Sequence, residues 1–297
     1  MNFLIIGHSV VDKIFHKGKT SIKPGGIFYS VISLLNQLDS DDKLYLCSSF
    51  DNNNFQLFRD VYDKVEPDFL ICVNSIPEVE LSIDVAGERT EKYSEVAGNL
   101  ILPTDNLNRF DGILVNMISG YDISADQIRQ IRENYSGIIY FDVHTLSRGV
   151  DNNLNRAFRR IKDFNIWAEC IDILQMNESE LLTLSEETSE TRVIEELFNY
   201  GIKQIIITRA ERGATVYFKE NDSVRKIHKN AFQFQTKNKV GCGDVFGAAY
   251  FHNYIKNNDV TLALEEANLF AGLAATYSKI RDFQNLKRDA GERTSKK

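Results

Sequence analysis

Gly241, Cys242, Gly243 and Asp244 stand together in the stretch TKNKVGCGDVFGAAY (236–250), just before a run of small apolar residues that predicts a helix. A helix opening near Gly243 leaves the backbone N–H groups of Gly241, Cys242 and Gly243 among its unpaired donors, and the macrodipole makes that point electropositive. Such a helix mouth is an anion site. Glycine at 241 and 243 allows positive φ and removes Cβ atoms that would hold a phosphate at a distance. Asp244 falls in the first turn, where the same field is expected to keep its pKa low and the carboxylate ionised near pH 7. A carboxylate beside an anion hole can take a hydroxyl proton while amides hold the charge of a transferred group. That equipment suits phosphoryl transfer to an alcohol. The plainer reading is a turn followed by an ordinary helix N-terminal carboxylate, and the four residues alone do not separate the two.

Two other glycine motifs fail. GKT (18–20) would need a glycine at position 13, which is Lys13, and it runs into SIKPGG instead of a helix, so it is not a phosphate-binding P-loop. GCGDVFG has its third glycine one place too late for a dinucleotide fingerprint, and the first strand-to-helix turn offers only GHSVVD. FDVHTLSRG (141–149) ends a strand with Asp142, His144 and Arg148 in the following loop, the edge of a parallel sheet where ligands are met. His144 reads equally as a satisfied loop histidine. Arg89, in a turn, reads as substrate-reaching or simply solvated. Asn177 and Glu180, three apart, share one face of a short helix and also have the spacing of a capping pair.

These residues must be positioned by a regular framework. Apolar runs rich in β-branched residues recur at 3–7, 43–49, 68–73, 112–117, 137–143, 171–176 and 204–209, and helical spacing fills 26–38, 125–134 and 191–201. Strands that alternate with helices and are apolar throughout predict an α/β fold with a parallel sheet covered on both faces. The segment 79–98 breaks this rhythm with two alternating strands around AGER and no helix, and 11–26 is similarly extended. Together they predict a small β lid, drawn from about 12–24 and 77–98. No Pro-, Gly- or Ser-rich linker divides the chain, so one domain over 1–297 is expected, with 286–297 as a flexible basic tail.

The 297 residues are 43% hydrophobic and 26% charged, ordinary globular values. A net charge of −7 argues against a nucleic-acid surface. No apolar run approaches the roughly 20 residues a spanning helix needs, and the N-terminus lacks the basic start of a signal peptide. Four scattered cysteines form neither a zinc pattern nor a disulfide framework, which fits a cytoplasmic protein.

VGCGDVF (240–246) resembles the T-G-A-G-D-x-F signature of the ribokinase-like, or PfkB, sugar and nucleoside kinases, with Cys242 in the alanine place. Further stations follow the family's order along nearly the whole chain: an opening strand with Asp12, the Gly25–Gly26 pair before the first helix, the GER hairpin (87–89), N-x-x-E at Asn177 and Glu180, and TRAERGA (208–214) for T-x-G-x-x-G-A. The resemblance implies a three-layer ribokinase-like sandwich with a mostly parallel central sheet and a small β-sheet lid. It implies Asp244 as catalytic base, the 241–243 amides as anion hole, and Asn177 and Glu180 as organisers of Mg²⁺ and its waters, with no direct protein ligand to the metal. Thr208, Ala210, Gly213 and Asn268 would lie along the nucleotide. Asp12, Gly25, Gly26, Ser30, Arg89 and His144 would face the acceptor, and Phe15, Phe28 and Tyr29 could stack on a base there.

The cofactors implied are ATP and Mg²⁺, with a monovalent cation as a further candidate, and the acceptor is a hydroxyl of a sugar, nucleoside or polyol. No nucleic-acid or membrane partner is expected, and a homodimer through the lid is suggested by resemblance alone. Asn238, Lys239 and Ala210 depart from the family's aspartate, threonine and glycine, and Ser30 from a substrate-binding asparagine. Those departures keep a non-catalytic ligand-binding protein on the same fold as the alternative. A kinase of vitamin-like hydroxymethyl groups is the rival among enzymes.

Overall fold

The computed structural model describes residues 1–16, 18–83, 89–103, 105–221 and 223–294. The chain enters as β1 (Asn2–Ile6), leaves that sheet as β2 (Ser9–His16) and β3 (Lys19–Gly26), and returns through α1 (Phe28–Leu35) to β4 (Lys43–Phe50). Then α2 (Phe55–Tyr62) leads to β5 (Leu70–Cys72), followed by β6 (Glu78–Ile83) and β7 (Arg89–Glu95). The next stretch holds β8 (Gly112–Asn116), α3 (Ala125–Asn134), β9 (Ile138–Asp142), a ribbon of β10 (Arg148–Val150) and β11 (Arg156–Phe158), and α4 (Phe164–Ala168). β12 (Ile173–Asn177), α5 (Glu178–Leu181), α6 (Glu190–Asn199) and β13 (Gln204–Thr208) precede β14 (Ala214–Glu220) and β15 (Ser223–Lys229). The helices α7 (Cys242–Asn257), α8 (Val260–Thr276) and α9 (Leu286–Thr294) close the described chain.

The large sheet has the order β15-β14-β13-β12-β9-β8-β1-β4-β5. It is parallel from β13 to β5, and β14 and β15 add an antiparallel edge. Successive side chains of a strand point to opposite faces, and both faces here are apolar. Phe3, Ile5, Tyr140, Ile173 and Ile206 join a core with α1, α2, α7 and α8. Leu4, Ile6, Phe141, Leu174 and Ile207 join a second core with α3, α4 and α6. The fold is thus the expected layered α/β arrangement. β1 lies between β4 and β8, so the chain builds outward from it first one way and then the other. The crevice at the carboxyl ends of β1 and β8 is therefore a topological switch point.

A small second sheet has the order β3-β2-β6-β7, with β2 and β6 parallel and the other pairs antiparallel. It is built from the two helix-free segments. Residues 84–88 of the AGER turn lie outside the described residues. Val10, Val11, Val79, Leu81 and Tyr93 bury the small sheet's inner side in the same core as α1 and α7. Among the described residues no helix is long and apolar enough to cross a membrane.

The terminal segment departs from expectation. Residues 286–294 are helix, not a flexible tail, with Leu286 fully buried, Ala290 four positions later buried beside it, and Tyr277 Oη donating to Asp289 Oδ2 at 2.7 Å. Two apolar side chains four apart are enough to dock a one-sided helix whose other face is charged. Leu286→Ala is accordingly expected to cost about 2–5 kcal/mol in denaturant unfolding, the range for a buried leucine. A loss below about 0.5 kcal/mol, the surface value, would restore the tail.

Candidate active site

The carboxyl ends of the parallel strands converge with the amino end of α7 and the small sheet on a cleft of about 220 Å³. Asp142 ends β9, Asn177 ends β12 and Thr208 ends β13, and all three line it. So do Asp12 and Gly26 from the small sheet, His144, Glu180, Gly241, Gly243 and Asp244. Ser30, Gly25, Ala210, Gly213, Asn268 and Cys242 do not line it. Ser30 is buried behind the wall, accepting from Asn116 Nδ2 at 3.1 Å. Gly25 passes so close to Asp12 that a Cβ there would lie 2.5 Å from the carboxylate. Ala210 and Gly213 form a turn closed by the bond from the Gly213 N–H to the Ala210 carbonyl, 3.0 Å, and Asn268 donates to the Lys229 carbonyl at 3.2 Å. Arg89 opens β7, but its side chain lies outside the described residues. Phe28 is core, packed on Phe58, while Phe15 is exposed; of the three aromatics only Tyr29 reaches the cleft.

At the mouth of α7 the two glycines have different reasons to be glycine. Gly241 is the N-cap with φ +78°, and a Cβ there would meet the Tyr29 ring at 2.3 Å. The fold itself requires it. At Gly243 nothing in the described protein lies within 4 Å of an added Cβ, yet the residue lines the cleft. Cys242 corrects the three-amide anion hole: it does not line the cleft, and its N–H is engaged by the Lys239 carbonyl at 3.4 Å. Burial pushes its thiol up to about 12, so it is no thiolate.

Asp244 is 7% exposed, and its Oδ1 accepts from Asn116 Nδ2 at 2.8 Å. Burial raises its pKa to about 7; the Asn116 bond works against the shift, and Asp12 and Glu180 add to it. The expectation of a low pKa from the helix field is therefore overturned by desolvation. The corrected value suits a general base better, because a proton acceptor works best poised near the operating pH. His144 Nε2 lies 3.9 Å from Asp244 Oδ1, beyond a hydrogen bond, and burial followed by Arg148 and Arg156 lowers its pKa to about 4. It is a neutral neighbour.

Asn177 and Glu180 form a full capping box: Asn177 Oδ1 accepts from the Ser179 and Glu180 N–H groups, each at 2.9 Å, and Glu180 Oε2 accepts from the Asn177 N–H at 2.8 Å. Both still line the cleft, so the cap does not withdraw them from it. Burial raises Glu180 to about 7. Among the described residues no three His, Cys, Asp or Glu side chains converge as a metal cage. One carboxylate and one amide at an open wall fit Mg²⁺, which keeps much of its water shell and takes its other oxygens from phosphates.

Asn116 behind the cleft wall, and Gln175, Glu91 and Arg156 on it, escaped the sequence reading. Asn116 ends β8, and a polar residue at the carboxyl end of an apolar strand was the available signal. Gln175 sits mid-strand in β12, donating to Asp142 Oδ2 at 2.7 Å and to the Gly243 carbonyl at 3.2 Å. Burial raises Asp142 well above the usual carboxylate range, with Glu180 and Asp244 adding to it. Glu91 of β7 receives Arg156 Nη1 at 2.8 Å and Arg148 Nη1 at 3.2 Å. Their separations of 65 and 57 residues hide this cluster from any local pattern.

Comparison with known proteins agrees with this architecture. The family model for the pfkB family carbohydrate kinase matches residues 145–285. A deoxyribokinase of Salmonella typhi is 29% identical over 134 residues, 43% of this chain and 42% of its own, so the match spans about two fifths of that relative. A provisionally assigned ribokinase II from E. coli, solved with ATP and Mg²⁺, superposes with a TM-score of 0.77 at 18% identity, covering 100% of this chain and 99% of the other. A pyrophosphate-dependent kinase of the ribokinase family, solved with a pyrophosphate analogue and myo-inositol, gives 0.77 at 16% identity over 98% and 99%. Residues 145–285 are therefore similar to the pfkB family carbohydrate kinases, and the fold of the solved ribokinase-family structures spans the whole length of the chain.

Proposed function

We propose that the chain is an ATP-dependent small-molecule kinase that transfers the γ-phosphoryl group to a hydroxyl of a sugar, nucleoside or related polyol. The observation that carries this reading is Asp244: a buried carboxylate with a pKa near 7, at the amino end of α7, beside a glycine that the surrounding protein does not require. Asn116 holds Oδ1, which leaves Oδ2 as the atom to receive the acceptor's proton. As that proton moves to Asp244, the acceptor oxygen forms its bond to phosphorus, the bond to the leaving phosphate breaks, and ADP departs. Amides at the α7 mouth, Gly243 foremost, stabilise charge on the group in transit. Asn177 and Glu180 would hold hydrated Mg²⁺, which when bound neutralises phosphate charge. Asp12 orients the acceptor through its hydroxyls, and Thr208 and Lys239 border the donor side.

One observation favours a non-catalytic ligand-binding protein. Ala210 has φ +51° where the family carries glycine, a left-handed strain in the turn beside the donor side. Nucleotide binding without turnover would select that reading.

For the kinase, Asp244→Asn is expected to lower kcat by about 10²–10⁴ with nucleotide binding kept. In the parent, kcat/KM is expected to climb tenfold per pH unit below about 7 and level off above it, since only the deprotonated base works. Stability moves the other way. The folded pKa lies above the unfolded one, so the buried carboxyl costs nothing below about pH 4, destabilises progressively from there to about 7 and by a constant amount above it. Asp244→Asn should therefore raise Tm above pH 7 and leave it unchanged at low pH; lost activity together with lost stability would point to a structural carboxylate. Gly243→Ala should leave the fold intact or gain about 0.4–1 kcal/mol, as glycine-to-alanine does in a helix, while lowering kcat/KM. Unimpaired turnover would remove Gly243 from the phosphoryl path.

A further inference from the structure

We infer that the acceptor is an anionic sugar or polyol, its carboxylate or phosphate seated on Arg148 and Arg156 at the small-sheet end of the cleft. This names the substrate class of the proposed kinase site and rests on that reading. Both arginines line the cleft. They come from β10 and β11, paired through Arg148↔Phe158 and Val150↔Arg156, so the ribbon presents them side by side. Both donate to the same oxygen of Glu91, Oε2. Arg156 also donates to Tyr93 Oη and to the Ile118 carbonyl at 3.4 Å, and its guanidinium lies 4.3 Å over the Tyr93 ring. Arg148 lies 4.8 Å over the Phe158 ring.

Two guanidiniums against one carboxylate leave surplus positive charge on a wall that water hardly reaches. Arg156 is 7% exposed at its side chain, Glu91 12% and Arg148 24%. Fastening the ribbon to β7 would need only one arginine, since a lone Glu91–Arg156 pair balances its own charge. Among the described residues the Nε groups of both arginines are buried without a hydrogen-bond partner, so donors remain beyond those that Glu91 occupies. His144 is kept neutral by burial, with the two arginines adding to the effect, and brings no competing charge. A neutral polyol could accept hydrogen bonds here but would leave the surplus charge unbalanced, whereas a carboxylate or phosphate balances it in the forked geometry that guanidinium favours.

The seat is separate from the transferred group. The proposed phosphoryl transfer takes place at Asp244 and Gly243 at the mouth of α7, whereas the arginines belong to the β10–β11 ribbon and are held by Glu91 of β7.

The test is calorimetric binding of matched pairs to the full chain, glucose against gluconate and fructose against fructose 6-phosphate, with ADP release measured on each. The expected result is that at least one anion binds about ten- to a hundred-fold more tightly than its neutral partner, the range of a charged hydrogen bond. Gluconate and fructose 6-phosphate tell a carboxylate seat from a phosphate seat. Arg156→Met should abolish the preference while sparing the neutral sugars, with Arg148→Met as the substitute if that chain does not fold. Glu91→Gln should strengthen anion binding, because it frees both guanidiniums. The inference is overturned if neither anion is preferred or neither binds. It is also overturned if the arginine variants weaken neutral and anionic sugars alike, since the arginines would then serve the fold or the transferred phosphoryl. Preferred anion binding without ADP release would instead count against the kinase reading and leave the seat standing.

Discussion

Asp244 is a carboxylate that water barely reaches, and the cleft is organised around what keeps it there and usable. Placing a charge in a dry site costs several kcal/mol, while the field at a helix amino end offsets about 0.3–1 kcal/mol and at most about 2. The difference appears as a pKa near 7. The bond from Asn116 limits the shift and fixes which oxygen faces the cleft. That bond joins residues 128 apart and couples the central strands to α7. Because β8 pairs with β1 in register, any slip of the sheet would carry Asn116 away from Asp244. Precision at the base is thus inherited from the most buried strands of the molecule.

The central parallel strands were legible because they are apolar on both faces, and only a sheet covered by helices on both sides explains that. The helix mouth at 241–244 was legible because glycine and aspartate have few reasons to stand so. The pKa of Asp244 was not, since the helix field is local and readable, whereas its burial, the opposing Asn116 bond and the charges of Asp12 and Glu180 come from distant segments. The helix at 286–294 was hidden by its charge: two apolar side chains dock it, and seven polar, charged or small neighbours mask them. Glu91 with Arg148 and Arg156 is a pairing of the small sheet with a later ribbon, so no window of sequence contains it.

The donor side deserves separate consideration. Ala210 takes up the left-handed turn that glycine would take without strain, and Lys239 pairs with Glu211 across the same edge. Asn268, expected along the nucleotide, instead ties α8 to the end of β15. The edge of the cleft proposed for the donor is therefore fastened by contacts within the protein, while the edge proposed for the acceptor keeps charged hydrogen-bond donors in reserve.

The small sheet shares its inner face with the main core. Val10, Val11, Val79 and Leu81 are buried there, whereas Lys19, Thr20 and Ser21 at the far end of β3 are exposed. A plate anchored along one end cannot swing as a rigid door without tearing apolar contact, so opening must take the form of bending that grows with distance from the anchor. Backbone amides near Val11 and Val79 would then exchange with solvent as slowly as the central strands, and those near Thr20 much faster. Access to the cleft would be governed by the elastic stiffness of four short strands, and not by a hinge.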